Sequence, residues 1–277
     1  MPGDETFSKQ ESLTGSGSSE FLSHAIFDAL ANELAARSGR RNVQGWIHEA
    51  LGRDVDIESK INSAADLISL MRPFVPPQTE VMDFGCGRGP HREVFERAGY
   101  QWLGVDYFDS KSIHFARDLP TDVVGYDGVR LPFDDARFAG GWSWQALEHV
   151  RQPDQAIAEI ARVIRVGGCF AGSTSFLEPF HGYSTYCYTP FGFKILLGRH
   201  GFKLKGIYPG TDGLSLILKY LESILGIDET PGLLNQCRLA SILSEALGDK
   251  VQRRKLAEIQ LQLCGHFRFV AERVASR

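Results

Sequence analysis

Apolar residues recur along this chain with two periods. Phe21, Leu22, Ala25, Ile26, Ala29, Leu30 and Leu34 fall at helical spacing, and Ile61, Ala65, Leu67, Ile68 and Met71 repeat it. The pattern predicts helices over residues 21–37, closed by Ser38-Gly39, and over 58–71. Shorter runs at 79–84, 101–105, 121–126, 138–144, 169–175, 203–208 and 265–274 read as strands. Helices are expected between them at 92–98, 153–165 and 191–200. Ala156, Ile157, Ile160, Ala161 and Ile164 share one stripe of the second, and Gly167-Gly168 is expected to supply its left-handed cap.

Two stretches break this rhythm. Residues 1–20 are rich in Ser, Gly, Thr and acids and are expected to form a disordered tail. Residues 211–263 separate the last two strands, and their Leu and Ile residues follow helical spacing. This reads as a helical insert that serves as a lid or a self-association surface. The expected organisation is a tail (1–20), an N-terminal helical segment (21–78) and a main domain (79–277).

Composition narrows the function classes. The chain has 277 residues, 43% of them hydrophobic, so a large core is possible. A net charge of −4 argues against a nucleic-acid surface. The five cysteines are scattered and include no Cys-x-x-Cys, so neither a zinc site nor a disulfide framework is expected. No apolar run reaches membrane-spanning length, and the N-terminus lacks the apolar core of a signal peptide. A cytoplasmic protein without a metal is expected.

The chemistry concentrates at Val81-Met-Asp-Phe-Gly-Cys-Gly-Arg-Gly89. An apolar run ends in alternating glycines and then Pro90, which reads as strand, glycine loop and helix, with loop N–H groups free for a ligand. The dinucleotide fingerprint requires a glycine where Pro90 stands, and the Gly-Lys-Ser/Thr of a P-loop is missing. Asp83 precedes the turn, where it would repel a pyrophosphate and attract a cationic amine. Asp106, 19 residues beyond Gly87, is placed to accept hydrogen bonds from ribose hydroxyls. Asp127-Gly128 ends the third run. On its own that acid reads as a turn-forming Asp.

Acid-x-Gly-x-Gly at Asp83 resembles motif I of the class I S-adenosylmethionine (SAM) methyltransferases. Leu131-Pro-Phe-Asp134, Gln145-Ala-Leu-Glu-His-Val150 and Arg162-Val-Ile-Arg-Val-Gly-Gly168 resemble later segments of the type 11 family. The resemblance implies a Rossmann-like seven-stranded sheet, mostly parallel, with the last strand antiparallel and helices on both faces. It implies SAM as cofactor and contacts from Asp83, Phe84, Gly85, Cys86, Gly87, Asp106, Tyr107, Asp127, Gly128, Trp144 and Gln145. The implied reaction is methyl transfer to a small molecule, with a hydroxyl acceptor favoured. A protein that binds SAM without transferring the methyl is the alternative. The aromatic stretch 176–190 is expected to wall the acceptor site, with His181 as candidate base. One face of Trp142 or Trp144 is expected to line the cleft, while His149 reads as a residue that orients its own turn. Some quinone methyltransferases hold a metal beside their Glu-His pair through a second acid. Gln145 occupies that place here, so no metal is implied.

Overall fold

The computed structural model describes residues 29, 33, 47–107, 122–178, 182–226 and 253–275. The tail at 1–20, the helix expected at 21–37 apart from Ala29 and Glu33, His181 and the middle of the insert at 227–252 lie outside the described residues.

Seven strands form one sheet: β1 (Glu80–Phe84), β2 (Gln101–Tyr107), β3 (Val123–Tyr126), β4 (Phe138–Trp144), β5 (Ile164–Ser175), β6 (Phe202–Pro209) and β7 (His266–Arg273). Their order is β3-β2-β1-β4-β5-β7-β6. Only β7 is antiparallel, and it pairs with both β5 and β6. The described helices are α1 (Ile47–Leu51), α2 (Ala64–Met71), α3 (Arg92–Arg97), α4 (Pro153–Val163), α5 (Pro190–Arg199), α6 (Gly213–Leu225) and α7 (Arg253–Leu263). None of them is long and apolar enough to cross a membrane.

The strands are apolar on both sides because helices cover both sheet faces. On one face Met82, Phe84, Val105, Phe138 and Phe170 pack with Ile157 and Ile160 of α4 and Phe193 of α5. On the other, Val81, Trp142, Ala171 and Val270 pack with Leu67, Ile68 and Met71 of α2 and Phe95 of α3. The register puts Asp83 of β1 beside both Gly104 of β2 and Trp142 of β4.

Several boundaries differ from the periodic reading, each for a local reason. α2 begins at Ala64 and not at Glu58, because Ser63 and Asp66 form a capping box that starts the helix there. Upstream, the Asp56 carboxylate accepts from the amides of Glu58 and Ser59 and holds that stretch in a turn. The Asp56 backbone meanwhile bonds the edge strand, with Asp56 N donating to Lys205 O and Ile207 N to Asp56 O. One exposed sheet edge is thereby partly covered. α4 stops at Val163, and Ile164 is already extended and paired with Phe138. Gly167 therefore does not cap the helix; it carries φ +81° inside an irregular stretch of β5. Gly168 is required next to it, since a Cβ there would lie 2.3 Å from the Ala139 carbonyl oxygen.

The insert leaves and rejoins the sheet at one neck. Asp212 and Cys264 form an antiparallel bridge, and Gly265 N donates to Thr211 O at 2.7 Å. Asp212 also caps α6, accepting from the amide and the hydroxyl of Ser215, each at 2.8 Å.

The close approach of β4 and β5 generates a test. A Cβ on Gly172 would fall 1.8 Å from the Ser143 carbonyl oxygen, and strand backbone cannot yield as a side-chain tip can. Gly172→Ala should destabilise the fold by about 1–3 kcal/mol, read as a lower urea midpoint at unchanged slope.

Candidate functional site

The functional residues converge at the carboxyl ends of β1, β2, β3 and β4, in two cavities. The larger, about 390 Å³, is lined by Phe84, Gly85, Asp106, Tyr107, Tyr126, Asp127, Gly128, Val129, Gln145, Ala146, His149, Val150, Arg151 and Gln152. The smaller, about 310 Å³, is lined by Asp83, Gly85, Cys86, Gly87, Arg88, Pro90, His91 and Trp144. Gly85 belongs to both, so the two meet at the glycine loop. Every cofactor-site residue expected from the sequence lines one cavity or the other.

The alternating glycines have a conformational cause. Gly85, Gly87 and Gly89 have φ of 73°, 55° and 74°, a region that disfavours side chains. Gly85 is also sterically pinned, because a Cβ there would sit 2.3 Å from the Ala146 Cβ. Four of the loop amides, expected to be free for a ligand, already have partners. Gly85 N and Cys86 N donate to Val105 O, Gly87 N to the Asp106 carboxylate and Gly89 N to Cys86 O. Pro90 lies before the helix, with His91 as the N-cap of α3. A phosphate would need those donors; the loop here offers shape instead.

Three acids give the site its polarity. Asp83 is only 1% exposed and accepts from the Trp102 indole Nε1 at 2.9 Å. Burial pushes its pKa up to about 7, against the opposing pull of that hydrogen bond. Trp102 can reach Asp83 because its neighbour is Gly104, where a Cβ would meet the indole at 2.4 Å and Cys86 Sγ at 2.7 Å. Sequence reasoning missed Trp102, though a strand glycine beside a tryptophan was the available signal. Asp106 accepts from Gly87 N and from Tyr107 N, one on each carboxylate oxygen. Each oxygen has two acceptor directions, so capacity remains for a vicinal diol. Burial raises the Asp106 pKa. Asp127 Oδ1 closes a turn by accepting from Val129 N and Arg130 N, and the residue also lines the larger cavity. Those two bonds hold its pKa below the ordinary value.

Aromatic side chains divide between the cavities. Trp142 and Trp144 stack with ring centroids 5.3 Å apart. Trp142 is fully buried, so Trp144 alone of the two meets the cleft. His91 lies 5.2 Å from Trp144 and 5.6 Å from Trp142, and burial depresses its pKa. The sequence reading did not single it out. His149 was read as a turn residue, yet it lines the larger cavity. Phe84 and Tyr126 meet edge to face at 5.6 Å on the same wall.

The described part of the aromatic stretch bonds to the turn after β4. None of residues 182–189 lines either cavity. Tyr188 is buried and its hydroxyl donates to Leu147 O; the Tyr186 hydroxyl donates to Arg151 O. These tyrosine tips fasten the turn at Leu147–His149 and Arg151 just beyond it. Phe180 and His181, the candidate base, lie outside the described residues.

The arrangement suits one kind of ligand. The larger cavity pairs a diol acceptor with an apolar wall and a second acid, as a nucleoside requires. The smaller pairs a buried acid with Trp144 and His91, as a compact cation requires.

Residues 82–172 match the family model described as a methyltransferase domain. An uncharacterized methyltransferase of Mycobacterium sp. (strain KMS) is 33% identical over 44% of this chain and 49% of its own. A sterol 24-C-methyltransferase of Eremothecium gossypii is 35% identical over 33% of this chain and 26% of its own. The chain thus spans at most about half the length of these two curated relatives. Among solved structures, phosphoethanolamine N-methyltransferase 2 of Haemonchus contortus with SAM is 16% identical, over 82% of this chain and 56% of that one, at a TM-score of 0.49. The strand order, not that likeness, establishes the fold. Over residues 82–172 the chain is thus similar in sequence to the type 11 methyltransferase domain, and its strand order is that of a Rossmann-like, mostly parallel seven-stranded sheet.

Proposed function

We propose that the protein transfers the methyl group of SAM to a small-molecule acceptor. The observation that carries this is the pair of cavities joined at Gly85, one built for a nucleoside and the other for a cation. Adenosine occupies the larger, with the ribose hydroxyls on Asp106 and the adenine amino group towards Asp127. The methionine part occupies the smaller, its ammonium facing Asp83 and its wall formed by His91 and Trp144. Phe84, Tyr107 and Gly128 line the adenosine side, Gln145 borders it, and Cys86 and Gly87 floor the methionine side.

The sulfonium activates the methyl when SAM is bound. The chain's own task is to align the acceptor and exclude water. A hydroxyl acceptor is favoured. It must lose a proton, and His181 is the proposed base. Glu178, three residues beyond the end of β5, reaches within 3.2 Å of the Gln145 amide and is the alternative. The named relatives act on a sterol carbon in one case and on phosphoethanolamine nitrogen in another, so acceptor chemistry varies within this fold.

Calorimetry tests the cofactor assignment. SAM and S-adenosylhomocysteine should bind and NAD should not; NAD binding without SAM binding would overturn it. Asp106→Ala should weaken S-adenosylhomocysteine by about 1.5–3 kcal/mol, the range for hydrogen bonds to a charged group, with the melting temperature nearly kept.

Asp83 generates a pH dependence of definite sign. Its folded pKa, about 7, lies above the unfolded value of 3.8. The folded protein therefore holds the extra proton between those values, and the stability of the empty protein should fall as pH rises through this window. Cofactor affinity should run the opposite way, rising between about pH 6 and pH 7.5 as the acid ionises and attracts the ammonium. Asp83→Asn should flatten both profiles, as read by thermal melts and calorimetry across that range.

A further inference from the structure

Glu148 lies outside both cavities, yet it is fully buried, with 0% of its surface exposed. A buried acid is costly unless its oxygens are satisfied. Here they are satisfied by three segments at once. Its carboxyl group accepts from Thr174 Oγ1 at 3.1 Å and lies within hydrogen-bond distance of Ser175 Oγ at 3.2 Å, both at the end of β5. Its backbone carbonyl accepts from Thr185 N at 2.7 Å, Tyr186 N at 3.1 Å and Thr185 Oγ1 at 3.1 Å. The third segment is its own turn, which follows the cavity residues Gln145 and Ala146 and carries the cavity residue His149.

Gln145 is the point of contact between this network and the cavity. Its φ of 51° is unusual for a residue with a side chain. Its amide N donates to Ser173 O at 2.9 Å. One orientation of its side-chain amide satisfies every neighbour: Nε2 donates to Glu148 Oε1 at 3.0 Å and Glu178 Oε2 at 3.2 Å, and Oε1 accepts from Ser173 Oγ at 2.9 Å. The opposite orientation would set the amide oxygen against two carboxylates. Ser175 Oγ lies between the same acids, 3.2 Å from Glu148 and 2.5 Å from Glu178. A hydroxyl has one proton, so both contacts are hydrogen bonds only if one carboxyl is protonated. Burial, reinforced by the neighbouring Glu178 charge, raises the Glu148 pKa and makes it the natural holder of that proton.

We infer that Glu148 is a positioning residue for the methyl-transfer site: through the carboxylate chain to Glu178 and Ser175 it fixes the Gln145 side chain at the rim of the cofactor cavity. Glu148 itself touches neither cofactor nor acceptor. It acts by holding the turn after β4 against β5, with the Gln145 amide locked between two acids and Ser173. The inference rests on the cofactor reading above.

The test uses S-adenosylhomocysteine as probe, with the full chain, well below the melting temperature of each variant. Glu148→Ala should weaken binding by about tenfold, in line with the loss of a neutral hydrogen bond that positions Gln145. Glu148→Gln retains an acceptor and a donor at that place, and should recover most of the affinity. An Ala variant that melts earlier but binds with the wild-type dissociation constant would reduce Glu148 to a structural residue and overturn the inference. In the wild type, the Gln145 side-chain amide, assigned by its loss in Gln145→Glu, should show protons protected from solvent exchange. Exchange at the rate of an exposed glutamine would overturn the inference without any Glu148 variant having to fold. Failure of the cofactor reading looks different, since the wild type itself would then not bind the probe.

Discussion

The site depends on how closely two backbones approach at the carboxyl end of the sheet. Strand order reverses between β1 and β4, so the chain leaves these neighbours in different directions and a crevice opens above them. Across it, Gly85 faces Ala146 at a separation that leaves no room for a Cβ. That contact joins the turn after β1 to the turn after β4. It also divides the crevice into the two cavities that share Gly85. The same geometry sets the electrostatics. Asp83 and Asp106 end adjacent strands, and each is desolvated enough for its pKa to rise. Two acids held this way are poised for a ligand that brings positive charge and hydroxyl donors together.

Support for the crevice comes from side chains that never enter it. Trp102 crosses over Gly104 to bond Asp83. Trp142 gives its buried ring as a platform on which Trp144 stacks. Tyr188 and Tyr186 fasten the turn beneath the cavity wall through its carbonyls. Glu148 links that turn to β5 and to the stretch after Gly182. The polar groups of Trp102, Tyr188, Tyr186 and Glu148 are satisfied by protein, as buried polar groups generally are, whereas the buried Trp142 Nε1 has no hydrogen-bond partner.

Legibility in the sequence followed locality. The strands were readable from their short apolar runs, the first three of which are closed by Gly or Asp, and β4 was read at its observed bounds, Phe138–Trp144. The glycine loop and the acids at the ends of β1, β2 and β3 were readable because their residue types and spacing carry the chemistry. Other features depend on contacts that spacing cannot show. The start of α2 was misjudged because Asp56 holds the preceding turn while its backbone bonds a strand distant in sequence. The end of α4 was misjudged because Ile164 pairs with Phe138 sooner than the glycines suggest. Sequence likewise does not reveal that the Tyr186 and Tyr188 hydroxyls have carbonyl partners. The place of His91 beside Trp144 of β4 and of His149 at the larger cavity also depends on contacts that spacing cannot show.

The most direct measurement is a crystal structure of the protein with S-adenosylhomocysteine. The account predicts adenosine in the larger cavity, both ribose hydroxyls on the Asp106 carboxylate, and the amino acid end in the smaller cavity beside Asp83, His91 and Trp144. A nucleoside bound elsewhere, or a ribose turned away from Asp106, would contradict it.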